Sequence, residues 1–115
     1  MHEMPVVMNV VDIVDSYARE NNVREVHKVI MEIGEIAMVM PHYFRSFWGP
    51  AIEQSEFMKN AELQIDIVPG IGSCRECGQE FNIEENNGIC PHCGAVEKFQ
   101  ILSGSDVQIK EIEVL

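Results

Sequence analysis

The chain has 115 residues and carries 19 Asp and Glu against 8 Lys and Arg, a formal net charge of −11 at pH 7. That length holds one modest domain, or a small domain with a metal-stapled lobe. So acidic a surface repels phosphate backbones and anionic lipid headgroups, which speaks against nucleic-acid and membrane-surface roles.

Residues 5–21 carry a helical pattern. Val7, Val10, Val11, Val14 and Ala18 fall on one side, and Asp12, Asp15, Arg19 and Glu20 largely face away. Pro5 suits a first helical position, where its missing N–H has no partner to lose. The period changes over 24–33, where Val29, Met31 and Ile33 alternate with Lys28, Ile30 and Glu32, a strand ended by Gly34. Helical spacing returns after Pro41 with Phe44, Phe47, Trp48, Ala51 and Ile52. Gly49-Pro50 interrupts that run, which predicts a kink or two short helices. Ala61, Leu63, Ile65 and Ile67 then alternate with Glu62, Gln64 and Asp66 as a second strand.

Pro69 to Ser73 is a turn-rich boundary. Beyond it, Asn86-Asn87-Gly88 is a tight-turn signal, so the cysteine pairs on either side are expected on β-hairpins. A last strand covers about 105–114. Its apolar positions change phase between Ile109 and Ile112, which predicts a bulge near Lys110 or Glu111. With no core of its own, this strand returns to pair with 24–33 and 61–68. The expected fold class is α+β: a small three-stranded mixed sheet with two helices, plus an inserted four-cysteine zinc-ribbon lobe. The expected domains are 1–69 with 102–115, and 70–101.

Cys74-Arg75-Glu76-Cys77 and Cys90-Pro91-His92-Cys93 are the most specific feature. Two Cys-x-x-Cys turns at this separation meet as the knuckles of one tetrahedral site, a common structural zinc arrangement. Disulfides are the rival reading. They need an oxidising compartment, and the start Met-His-Glu-Met-Pro has neither the positive nor the apolar segment of a secretory signal. Thioredoxin-like chemistry needs one such motif at a helix start rather than two facing turns. A rubredoxin-like iron–thiolate site shares the local Cys-Pro-x-Cys-Gly pattern at 90–94, and colour separates it from colourless Zn²⁺. Residues 74–115 hold three basic and eight acidic side chains, a poor nucleic-acid surface for a zinc ribbon. With four cysteines present, His92 is expected to be solvated or to lie behind the ligands. His27 and His42 are expected as packing or surface residues. Met31, Met38, Met40 and Met58 lie in apolar stretches and are expected as core filler.

The first residues carry a second metal chemistry. The amine of Met1, the deprotonated amide nitrogen of His2 and the His2 Nδ1 close five- and six-membered chelate rings around one ion. The amide or carboxylate of Glu3 could complete the set. This nitrogen-rich, near-planar arrangement favours Ni²⁺ and Cu²⁺ over Zn²⁺. Methionine aminopeptidases generally spare Met1 before a bulky residue, so the spacing survives. Considered alone, a histidine beside the start is an ordinary solvated residue.

The Met-His-Glu-Met opening before an apolar helix, the Glu32-Ile33-Gly34-Glu35 strand end, the two cysteine pairs and the terminal Ile-Glu-Val together resemble the HypA/HybF family of hydrogenase maturation factors. The resemblance spans essentially the whole chain. It implies an αβ lobe with a zinc lobe and delivery of nickel, Ni(II), to [NiFe]-hydrogenase. Nickel binding falls on His2 with Met1 and Glu3 adjacent, and structural zinc, Zn(II), on Cys74, Cys77, Cys90 and Cys93. It also implies a cytoplasmic, non-enzymatic protein whose partners are a HypB-type accessory GTPase and the hydrogenase large subunit, with homodimerisation left open. Pro5 departs from the small polar residue common there and cannot supply a hydroxyl cap; Gly49-Pro50 is also unusual. Enzyme motifs fail: His2-Glu3 does not extend to His-Glu-x-x-His, and no phosphate loop is present. A zinc-ribbon interaction module without mobile nickel, and an electron carrier, are the alternatives from other classes.

Overall fold

The computed structural model describes residues 3–115. Eight elements follow in order: α1 (Glu3–Glu20), β1 (Val26–Gly34), α2 (Pro41–Ile52), β2 (Glu62–Val68), β3 (Ile71–Cys74), β4 (Glu80–Asn82), β5 (Phe99–Ser103) and β6 (Val107–Val114). They build two compact units, one of Met1–Glu32, Met38–Asp66 and Gln108–Leu115, the other of Ile33–Ala37 and Ile67–Val107.

In the first unit, α1 buries Val7, Val10, Val11, Val14 and Ala18, the stripe its periodicity selects. Each fully buried valine contributes about 1.5–3 kcal/mol relative to exposure. The helix already includes Glu3, so Pro5 is not its first residue. It still lies within the opening turn, where the first four N–H groups lack helical partners and proline costs little. The sheet order is β2-β1-β6, with β1 central. Val26, Val29, Ile30, Met31 and Ile33 of β1 are all buried, as a strand between two neighbours requires. The N–H of Gly34 donates to Asp106 O and that of Leu115 to Glu25 O, so β6 runs antiparallel to β1. The N–H of Val26, at the start of β1, donates to Phe57 O in the segment leading into β2, and that of Glu35, just past the end of β1, donates to Val68 O at the end of β2, so β2 runs parallel. The sheet is therefore mixed, as the fold class predicts. In β6 the half-buried apolar positions are Val107, Ile109 and Ile112, so the phase changes between the last two.

Of the two outcomes expected at Gly49-Pro50, a split of α2 into two short helices does not occur. α2 is one helix of 12 residues with Pro50 inside it. Two local features allow this. Gly49 has no Cβ to clash with the following proline ring, and Pro50 lies in the last turn, where few hydrogen bonds remain to be lost. Phe44 and Trp48 are buried one turn apart with ring centroids 6.4 Å apart, and the Trp48 Nε1–H donates to Ala61 O at 3.0 Å. Met31 and Met58 are fully buried, but Met38 is 87% exposed and Met40 54%, contrary to the filler expectation.

In the second unit, β3 pairs antiparallel with β4 and β5 in the order β4-β3-β5. The segment Ile71–Ser73, expected as turn, is strand. Gly72 fits there because a Cβ would press on Ile83 and Phe99 at 3.0 and 3.1 Å. Asn87 and Gly88 adopt φ of 53° and 77°, and the Ile89 N–H donates to Asn86 O at 2.9 Å, the tight turn that the sequence signals.

Candidate metal centre

The two cysteine pairs occupy matching local structures. In the first, the Gly78 N–H donates to Cys74 O at 2.8 Å and the Cys74 N–H to Gln79 O at 2.8 Å. In the second, the Gly94 N–H donates to Cys90 O at 2.8 Å and the Cys90 N–H to Ala95 O at 2.9 Å. Gly78 and Gly94 hold φ of +80° and +79°, the left-handed conformation that glycine adopts without penalty. Each knuckle is thus Cys-x-x-Cys-Gly, with the glycine turning the chain back so that both sulfurs face one point. The repeated glycine is visible in sequence, and its structural role went unread there.

All four Sγ atoms lie within 4.8 Å of one another. Cys74 and Cys93 are 3.6 Å apart across the knuckles, as are Cys77 and Cys90. A tetrahedron with metal–sulfur bonds of about 2.3 Å has edges of about 3.8 Å, so the cluster fits a tetrahedral thiolate-bound ion such as Zn²⁺. The four cysteines are free of disulfides, with Cys74 and Cys90 buried and Cys77 and Cys93 exposed. His92 is exposed and lies outside the group.

Beneath the sulfurs, Phe81, Ile83, Cys74 and Cys90 form a small core with Ile36, Ala95 and Phe99 at its margin. Phe81 and Phe99 meet edge to face at 5.8 Å and 88°. A cluster this small supplies little stability alone, which is the usual setting for a metal staple. The Glu35 Oε1 accepts the Gly70 N–H and the Asn82 Nδ2–H, each at 3.0 Å, tying the 33–37 segment to β4.

The thiols do not share one proton affinity. The Cys77 N–H leads the donors that lower Cys74 from the ordinary 9.0 to about 7 against partial desolvation. At Cys93 the Ala95 N–H acts in the same direction, but the thiols of Cys74, Cys77 and Cys90 together with desolvation push it up to about 12. At Cys77 the Gln79 N–H lowers the value, yet desolvation and the Cys90 and Cys74 thiols raise it overall. Four adjacent sulfurs cannot all carry negative charge without a cation among them.

Met1 and His2, two of the expected nickel ligands, lie outside the described residues. Glu3 is buried at 3% exposure, and its Oε2 accepts the Met40 N–H at 3.0 Å. His27 and His42 are exposed. No described helix is long and apolar enough to cross a membrane.

Comparison with known proteins places these features in a family. Residues 1–114 match the family model described as "Hydrogenase/urease nickel incorporation, metallochaperone, hypA". The hydrogenase maturation factor HypA of Trichormus variabilis is 38% identical over 114 residues, covering 99% of this chain and 96% of the relative. That of Aquifex aeolicus is 35% identical, covering 99% and 97%. The solution structure of the Ni metallochaperone HypA from Helicobacter pylori superposes with a TM-score of 0.72 at 25% identity, covering 100% of this chain and 98% of that one. The chain belongs to the HypA family of nickel-incorporation metallochaperones for hydrogenase maturation.

Proposed function

We propose that this chain carries Ni(II) on its first residues and hands it on for [NiFe]-hydrogenase maturation, while Cys74, Cys77, Cys90 and Cys93 hold a permanent structural Zn(II). The observation that carries the reading is the family match over residues 1–114, which includes the Met-His-Glu start, together with the four-thiol cluster. The nickel ligands are the Met1 amine, the His2 amide nitrogen and imidazole, and Glu3. The Glu3 carboxylate is buried and already accepts the Met40 N–H, which favours its amide as the contribution. An amide in the first turn of a helix has no helical acceptor, so a metal can replace its proton without breaking the ladder.

The two sites differ in kind. Four thiolates close around an ion and retain it; a shallow set built from an amine, amides and one imidazole can let it go. Loading expels protons from the imidazole and from any ligating amide, so nickel affinity falls with acidity. The 1–69 and 102–115 domain carries nickel and the 70–101 domain carries zinc. Handover involves a HypB-type GTPase and the hydrogenase large subunit in the cytoplasm, and the chain catalyses no reaction of its own.

Residues added before Met1 test this reading. They remove the amine from its position and should weaken nickel binding while leaving one zinc per chain. Equal nickel affinity with and without the extension excludes amine ligation.

A further inference from the structure

Of the eight cationic side chains in this acidic protein, two converge beside an open sheet edge. A cleft of about 560 Å³ lies between α2 and β2, lined by Lys28, Arg45, Trp48, Glu62, Leu63 and Ile65 among others, so that two cations share it with one carboxylate. The ion pairs formed among the described residues are Lys98–Glu76 and Lys110–Asp66, so neither Lys28 nor Arg45 is neutralised by one.

β2 has a strand neighbour on one side only. Val68 O accepts the Glu35 N–H, so even-numbered residues of β2 turn their main-chain groups toward β1. Odd-numbered residues then face the open edge, because main-chain direction alternates along a strand. Two contacts agree with this. Ala61 O is taken by the Trp48 Nε1–H at 3.0 Å, and Leu63 O by Arg45 at a long 3.4 Å. Ile65 presents its N–H and C=O at the same edge. An exposed edge is a template for another strand, and the charges beside it select which one.

We propose that this cleft receives an extended acidic segment of another protein, added as a strand to β2 with its carboxylates against Lys28 and Arg45. Two cations against the single carboxylate of Glu62 leave this cleft net positive in a chain that is strongly negative overall. At −11 the chain attracts basic peptides over most of its surface, so a preference for an acidic peptide can come only from a built site.

The test uses the zinc-loaded chain and short fluorescent peptides alternating Val with Glu or Val with Lys. The Val/Glu peptide should bind more tightly than the Val/Lys peptide. Arg45→Glu and Lys28→Glu should each weaken it by roughly tenfold, and methylating alternate amide nitrogens of the peptide should weaken it similarly. Circular dichroism of both variants reports that the fold is kept, and the methylated peptide probes strand addition on the unaltered protein. Equal or tighter binding of the Val/Lys peptide overturns the proposal, as does indifference to both charge reversals. Citrate competing as tightly as the peptide would reduce the site to a simple anion pocket and overturn strand addition.

Discussion

The Glu3 carboxylate accepts the backbone N–H of Met40 at 3.0 Å, across 37 positions of sequence, and so fixes the start of α1 to the start of α2. Met40 is the N-cap of α2 and makes no side-chain cap, and Pro41 follows it in the first turn. Glu3 thus does from a distance what the glutamate of a capping box does locally, and it places negative charge at a helix N-terminus. Glu3→Ala removes the charged acceptor of this part-buried hydrogen bond and should lower stability by about 1.5–3 kcal/mol. Glu3→Gln keeps an acceptor oxygen and should cost distinctly less. Urea denaturation measures both, and equal losses would contradict this role.

Gly34, at the end of β1, has no room for a side chain. A Cβ there would run into the backbone of Gly104, which itself holds φ +87°. Backbone cannot rotate away as a side chain tip can. Gly34→Ala should therefore destabilise by roughly 1–3 kcal/mol, as overpacking does, even though alanine is otherwise the mildest replacement. A thermal melt unchanged from the parent would refute this.

Zinc removal should act locally. Chelation, or Cys74→Ser, takes the staple from a unit whose own core is Phe81, Ile83 and two of the cysteines. Amides of β3, β4 and β5 should lose hydrogen-exchange protection well before those of α1 and β1. Uniform loss along the chain would show that the zinc lobe does not unfold separately.

The thiol pKa values give metal uptake a pH signature. In the metal-free lobe, Cys74 is lowered from 9.0 to about 7. Its stabilising contribution is present above pH 9 and lost as pH falls through 7. Cys93 is raised to about 12, so its contribution belongs to the protonated form, is present below pH 9 and is lost as pH rises toward 12. Cys77 is also raised and protonated at neutral pH. Zinc binding near pH 7.5 must expel at least these last two protons, and affinity must fall with acidity. Titration heats in buffers of different ionisation enthalpy count the protons released; a value near zero would contradict the assignment.

Much of this fold was legible in sequence because periodicity reports burial directly. The α1 stripe from Val7 to Ala18 and the central strand β1 follow from spacing alone. The four cysteines declare one cluster because a Cys-x-x-Cys turn can present both sulfurs to the same point. What sequence hid depends on partners far along the chain. The bond from Glu3 to Met40 is not a local pattern. The β3 strand lay in a Gly-rich stretch that reads as turn, because Gly72 is selected by Ile83 and Phe99 pressing on it. Met38 and Met40 read as filler because hydropathy cannot tell an apolar residue in a core from one on an exposed connection. Helix α2 passed through Pro50 because the preceding residue is glycine, a compensation one position away.

The most direct measurement is metal stoichiometry of untagged protein with its native start, before and after His2→Ala. The parent should hold one tightly bound zinc and take up added nickel; the variant should keep zinc and fold and lose the nickel. Undiminished nickel uptake by the variant, or none by the parent, contradicts a carrier site at the N-terminus.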